Sequence, residues 1–184
     1  MKRTILFVLC LLTLGMNVNA QEAKNDSIIR NTKYGALETR KGEFIKYVDK
    51  KMKDITYSSM YTFGSTVRKF LSKEPPRFFL ILGYVKSRAY IEYSDLVEVN
   101  KAFDKLFKEV DADCALKPDY LENKFITDDG FKIGYYIKKG KATWFVDFDA
   151  TSQWAPIIEI KKAFDFANGL KDMQHEIELM QNEK

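Results

Sequence analysis

A chain of 184 residues that is 46% hydrophobic is long enough to bury one sizeable core, and its 30 basic and 26 acidic residues give a formal charge of +4. Two of those charges, Lys2 and Arg3, sit in an N-terminal leader. The remainder is close to neutral and lacks the electrostatic footprint of a nucleic-acid binder. One histidine and two cysteines leave little material for zinc or thiol chemistry.

Met1-Lys2-Arg3 forms a positive n-region, and residues 5–16 an apolar run broken only by Thr13 and Gly15. Val18-Asn19-Ala20 then places a small residue just before Gln21. This layout predicts a signal peptide over residues 1–20, cleaved on export to a periplasmic or extracellular setting. The run is shorter than the roughly 20 apolar residues a bilayer span needs, so no transmembrane segment is expected once the signal is cleaved. Cys10 leaves with the leader, so no internal disulfide is expected, and Cys114 reads as a small apolar core residue.

Residues 21–33 are polar and aperiodic and read as a flexible lead-in to a single domain over 34–184. Ile55, Tyr57, Tyr61 and Phe63 alternate with Thr56, Ser58 and Thr62, the spacing of a half-buried strand. Gly64 and the pair Pro75-Pro76 punctuate this region, the second marking a loop. Residues 78–82 form a buried strand, and a turn near Lys86-Ser87 leads to a second one ending at Tyr93. Ser94-Asp95 then has the character of a helix N-cap, with Glu98 completing a capping box. Leu96, Val99, Ala102, Phe103, Leu106 and Val110 make the apolar stripe of that helix.

Residues 121–127 and 131–138 flank Asp128-Asp129-Gly130, which suits a type I turn with a glycine bulge. A turn at Lys139-Gly140 begins a third strand, 142–148. Pairing 138 with 141 sets Tyr135 against Trp144, Ile133 against Val146 and Phe131 against Phe148 on one face, and Lys132 against Asp147 on the other. From about Pro156 to Gln181 a helical stripe returns through Ile157, Ile160, Phe164, Ala167, Leu170, Met173, Ile177 and Met180, with Gly169 bending or dividing it.

Residues 90–94 align with 145–149, and residues 98–106 with 159–167. The same alignment places Gly83 opposite Tyr90 and Gly134 opposite Phe145, an aromatic ring covering a cross-strand glycine in each half. The expected fold is therefore α+β, an antiparallel meander sheet with two amphipathic helices packed on one face. It reads as a tandem repeat of a strand-strand-strand-helix unit, with halves 34–115 and 116–184. Between strand and helix the second half carries extra residues around Trp154, which either tucks over the core or serves a contact.

Few motifs carry chemistry. Asp147, Asp149 and Thr151 match the D-x-D-x-T signature of haloacid-dehalogenase-type phosphatases, but that motif opens a parallel domain and this one closes an antiparallel hairpin. Asp128-Asp129-Gly130 lacks the alternating acids and distal glutamate of a calcium loop. His175 has no metal-ligating companion. No catalytic residue, metal or cofactor is expected, and a carboxylate pair is the residual route to a hydrolase. The candidate binding residues are Tyr90, Tyr136 and Phe145, on the sheet face opposite the main stripe, together with Trp154. They suit a binding or interaction protein whose partner is an envelope protein or a small ligand. The alternative is a carrier that encloses a small apolar ligand between sheet and helices.

The blocks IEYSDLVEVNKAF (91–103), DYLENKFITDDGFKIGYY (119–136) and KATWFVDF (141–148) resemble a family of small exported proteins of Bacteroidetes-type bacteria that has no assigned activity. The similarity covers most of the chain after the leader and departs around residues 149–156. It implies a bacterial periplasmic or extracellular setting and brings no catalytic residues.

Overall fold

The structure is a computed structural model that describes residues 32–85, 87–148 and 158–183. Residues 1–31, which include the expected signal peptide, and Trp154 and Pro156 lie outside the described residues. A short helix α1 (Gly35–Glu38) precedes strands β1 (Tyr47–Lys51), β2 (Ile55–Thr56), β3 (Thr62–Phe70), β4 (Arg77–Tyr84) and β5 (Ser87–Glu92). Helix α2 (Tyr93–Ala115) follows, then strands β6 (Leu121–Ile126), β7 (Lys132–Lys138), β8 (Lys141–Asp147) and β9 (Ile158–Ile160), and helix α3 (Ala163–Asn182). The fold is α+β with antiparallel pairing throughout. The strands form two sheets, ordered β1-β3-β4-β5 with β2 beside β3, and β6-β7-β8-β9, where a single meander was expected.

One core joins both sheets to α2 and α3. Phe63, Val67, Leu80 and Ile91 from the first sheet meet Ile133, Tyr135 and Val146 from the second, with Phe103 of α2 and Phe166 of α3 between them. The α2 stripe is as expected, with Leu96, Val99, Phe103 and Leu106 buried. So is the β7–β8 register: Tyr135 opposes Trp144, Ile133 opposes Val146, and Lys132 lies 2.7 Å from Asp147. Its two-residue turn holds Lys139 and Gly140 at φ 52° and 71°, the left-handed geometry a tight hairpin needs. The Asp128-Asp129-Gly130 turn also forms, with Gly130 N–H donating to Thr127 O and Thr127 N–H to Phe131 O.

Other expectations are corrected. The alternation over 55–63 belongs to a hairpin, in which Ile55 opposes Phe63 and Thr56 opposes Thr62. Gly64 lies inside β3, opposite Gly83. Gly83 faces Arg88 and Tyr90 faces Ile81, because the chain reverses with Tyr84 opposite Ser87. The glycine–aromatic pair thus exists only at Gly134–Phe145. No side chain caps α2 in the way of a capping box, because Asp95 turns toward Lys33 and Glu98 toward Lys101. Residues 158–160 are strand, and α3 begins at Ala163. Its first turn buries Phe166 and leaves Phe164 exposed, whereas Ala167, Leu170, Met173 and Ile177 are buried as expected. Gly169 sits in one unbroken helix, and a Cβ there would meet Ile55 Cγ2 at 2.6 Å. It serves the close approach of α3 to β2.

The outer face of the first sheet is covered by the chain's own N-terminal segment. Tyr34 and Leu37 bury Phe70 and Phe79, and the Tyr34 ring stacks on Tyr90 at 3.8 Å. Lys33 anchors this strap, so the lead-in ends in a fixed residue. Its backbone N–H donates to Asp129 (2.9 Å), and its Nζ lies 2.6 Å from Asp95 and 3.2 Å from Asp128.

Burial raises the Asp95 carboxyl above its ordinary range despite Lys33, and burial does the same to Asp129. A carboxyl raised in the folded state binds its proton more tightly there than in the unfolded chain. The cost of keeping it ionised therefore applies above the folded value and is relieved as pH falls through it. Stability of the native protein relative to Asp95→Asn is expected to rise as pH falls from about 7 to about 4. Urea unfolding across that range checks this, and a difference that does not change with pH contradicts it.

Candidate functional site

The β2–β3 hairpin turns through Ser58-Ser59-Met60, closed by Tyr57 and Ser58 N–H groups donating to Tyr61 O. Two adjacent serines between tyrosines make a tip that is polar in the backbone and aromatic at its flanks. The Tyr57 ring stacks on buried Phe63 at 4.2 Å and meets Tyr84 edge-on at 6.1 Å. Burial and the hydrogen bond with Tyr84 raise the Tyr57 phenol above its ordinary value. The second sheet reaches the same place through β9, because the Lys161 and Lys162 N–H groups both donate to Tyr57 O, at 2.8 and 3.1 Å.

Between these parts lies an open cleft of about 450 Å³, walled by Tyr57, Tyr61, Tyr84, Ser58, Glu159 and Lys161. Three tyrosines supply apolar ring surface, and a single ion pair supplies charge. Lys161 Nζ donates to Glu159 at 2.5 Å and Tyr136 OH donates to its other oxygen at 3.1 Å. The hydrogen bond from Lys161, and then that from Tyr136, lowers the Glu159 carboxyl, and Glu159 in turn raises the Lys161 amine. The Ser58 Oγ is buried and has no hydrogen-bond partner among the described residues. Apolar groups on the hairpin are exposed beside the cleft: Met60 is 82% exposed and Tyr61 59%.

The residues expected from sequence divide into two groups. Tyr136 and Phe145 share the outer face of the second sheet, with ring centroids 6.3 Å apart. Tyr120 stacks beside Tyr136 at 6.4 Å, and Lys138 Nζ lies over both rings at 5.8 and 5.4 Å. Tyr90 stands apart, on the outer face of the first sheet under Tyr34. Trp154 lies outside the described residues. The cleft residues themselves were missed. Their one sequence signal is the pair of tyrosines flanking Ser58-Ser59-Met60, which resembled strand alternation.

The other charged cluster, Lys33 with Asp95, Asp128 and Asp129, ties the strap to α2 and the β6–β7 turn. Among the described residues no group of three or more His, Cys, Asp or Glu side chains is placed to hold a metal ion. No helix among them is long and apolar enough to cross a membrane. No family model, curated protein or solved structure matches the chain.

Proposed function

We propose that this is an exported binding module that holds a small amphipathic ligand in the cleft between the β2–β3 hairpin and β9. The observation that carries the reading is a cleft lined by three tyrosines beside the Lys161–Glu159 ion pair. Tyrosines offer apolar faces with polar tips, and the ion pair adds a hydrogen-bonding donor and acceptor beside them. Export rests on the tripartite leader over residues 1–20.

Binding suits the cleft better than catalysis does. Glu159 is the only carboxylate on its wall among the described residues, and Lys161 holds it ionised, without a proton to donate. An enclosed carrier site between sheet and helices is disfavoured by what fills that space: Phe166 packs against both Phe63 and Phe103, with centroids 5.5 and 5.9 Å away.

Fragment screening by two-dimensional NMR on protein recovered from the producing cells tests this, and its mass reports whether residues 1–20 are gone. Small phenolic and polyol fragments are expected to shift amides of residues 57–61, 84 and 159–161. Tyr61→Ala, a change at an exposed position, is expected to weaken them about tenfold while leaving the melting temperature in place. Fragments that shift only other surfaces, or none, overturn the assignment.

A further inference from the structure

The cleft does not end at Glu159. That carboxylate, on the cleft wall, accepts the Tyr136 hydroxyl from the outer face of the second sheet, and the Tyr136 ring is followed by Tyr120. Two rings, an ion pair and two further rings therefore follow one another as neighbours: Tyr84 and Tyr57, then Lys161–Glu159, then Tyr136, then Tyr120. Tyr120 is 54% exposed and Tyr136 is partly so. This is a longer surface than one small molecule needs.

We propose that the cleft and this face form one continuous track for a neutral linear oligosaccharide, one end in the cleft and the other on Tyr120. The inference rests on the binding reading above and names the ligand class. Three features select it. A sugar ring with equatorial hydroxyls has apolar C–H faces and a polar edge, which matches tyrosine rings set between hydrogen-bonding groups. Most charges along the track are matched in pairs, Lys161 with Glu159 and Lys124 with Glu122 at 2.8 Å, with Lys138, which lies over the Tyr120 and Tyr136 rings, the exception. A polycation therefore gains no net attraction there and a polyanion gains only that of Lys138, whereas hydroxyls find both donors and acceptors. An extended peptide added to a sheet needs free backbone groups at a strand edge, and just past β9 the Lys161 and Lys162 N–H groups are already bonded to Tyr57 O.

The test is NMR titration of the full protein with cellohexaose, chitohexaose, their monosaccharides, and one acidic and one basic decapeptide. At least one hexasaccharide is expected to shift amides from residue 58 through 159 to 120 together, and to bind at least tenfold tighter than its monosaccharide. Tyr120→Ala is expected to remove most of that chain-length gain while leaving fragment binding in the cleft unchanged. A merely structural role for Tyr120 would not produce that split. If fragments occupy the cleft but neither hexasaccharide outbinds its monosaccharide, the track is wrong and the cleft stands. If neither fragments nor sugars reach the cleft, both readings fall. If a decapeptide occupies the same track with the same Tyr120 dependence, the saccharide assignment is overturned.

Discussion

Replacing Gly134 with alanine is expected to destabilise the protein by about 3 kcal/mol, the upper end of what overpacking usually costs. A Cβ at this position would lie 2.3 Å from the backbone oxygen of Asn123 and 2.8 Å from Lys124 Cα. These are main-chain atoms of the neighbouring strand and have no rotamer to escape into. Relief requires β6 to move away from β7, and β6 is held by more than its ladder. Asn123 donates to Glu109 of α2 at 2.9 Å, while Tyr135 beside it donates to Asp113 at 2.6 Å. Burial and the bond to Asp113 raise the Tyr135 phenol well above its ordinary value, so it remains a donor. Shifting β6 breaks this network as well. Gly64→Ala is the control, because a Cβ there meets nothing within 4 Å. The urea midpoint should fall by about 1–3 M in Gly134→Ala and hardly move in Gly64→Ala. Equal midpoints for the two variants would contradict the steric account.

Phe63→Ala is expected to cost about 3–5 kcal/mol, the range for truncating a buried phenylalanine. The side chain is fully buried and meets rings from four directions: Tyr57, Tyr84, Phe148 of the second sheet and Phe166 of α3. It packs the two sheets against one helix and forms the floor on which Tyr57 rests. The loss should lower the melting temperature by roughly 6–20 °C in a domain of this size. It should also loosen Tyr57, so ligand binding in the cleft should weaken at temperatures where the variant remains folded. A small thermal shift, under about 3 °C, would mean that the neighbouring rings close over the gap and that Phe63 is not the keystone described.

The parts of the fold that were legible in the sequence are those decided locally. The β7–β8 hairpin reads correctly because a two-residue turn fixes its register and both faces of the ladder agree. Helix α2 reads correctly because its stripe is long and its period unbroken. Errors arose where a distant residue decided the outcome. Asp95 fits an N-cap by spacing, but Lys33, 62 residues away in sequence, claims its carboxylate. Ile160 fits the stripe of α3 by period, yet pairs as strand with Trp144. The tight turn at 58–60 preserves the in–out alternation, so a hairpin imitates one strand. The cleft combines residues 57–61, 84 and 159–161, and no local pattern announces that those three segments meet. Tyr136 and Phe145 were recognisable as face residues because strand parity alone places them, whereas the Tyr34 cover on Tyr90 was not.

The strap that hides Phe70, Phe79 and Tyr90 has a consequence for the order of events during synthesis. Its anchor residues emerge early, but the surface they bind is complete only when Glu92 has been made, about 60 residues later. At about 5–20 residues per second that is a wait of several seconds, and the partners of Lys33 at 128 and 129 come later still. Until the strap docks, the first sheet has a bare aromatic face beside its edge strand β1. The first residues of the strap to be made are thus among the last to find all their partners, and until they do the uncovered face and edge are a liability for self-association.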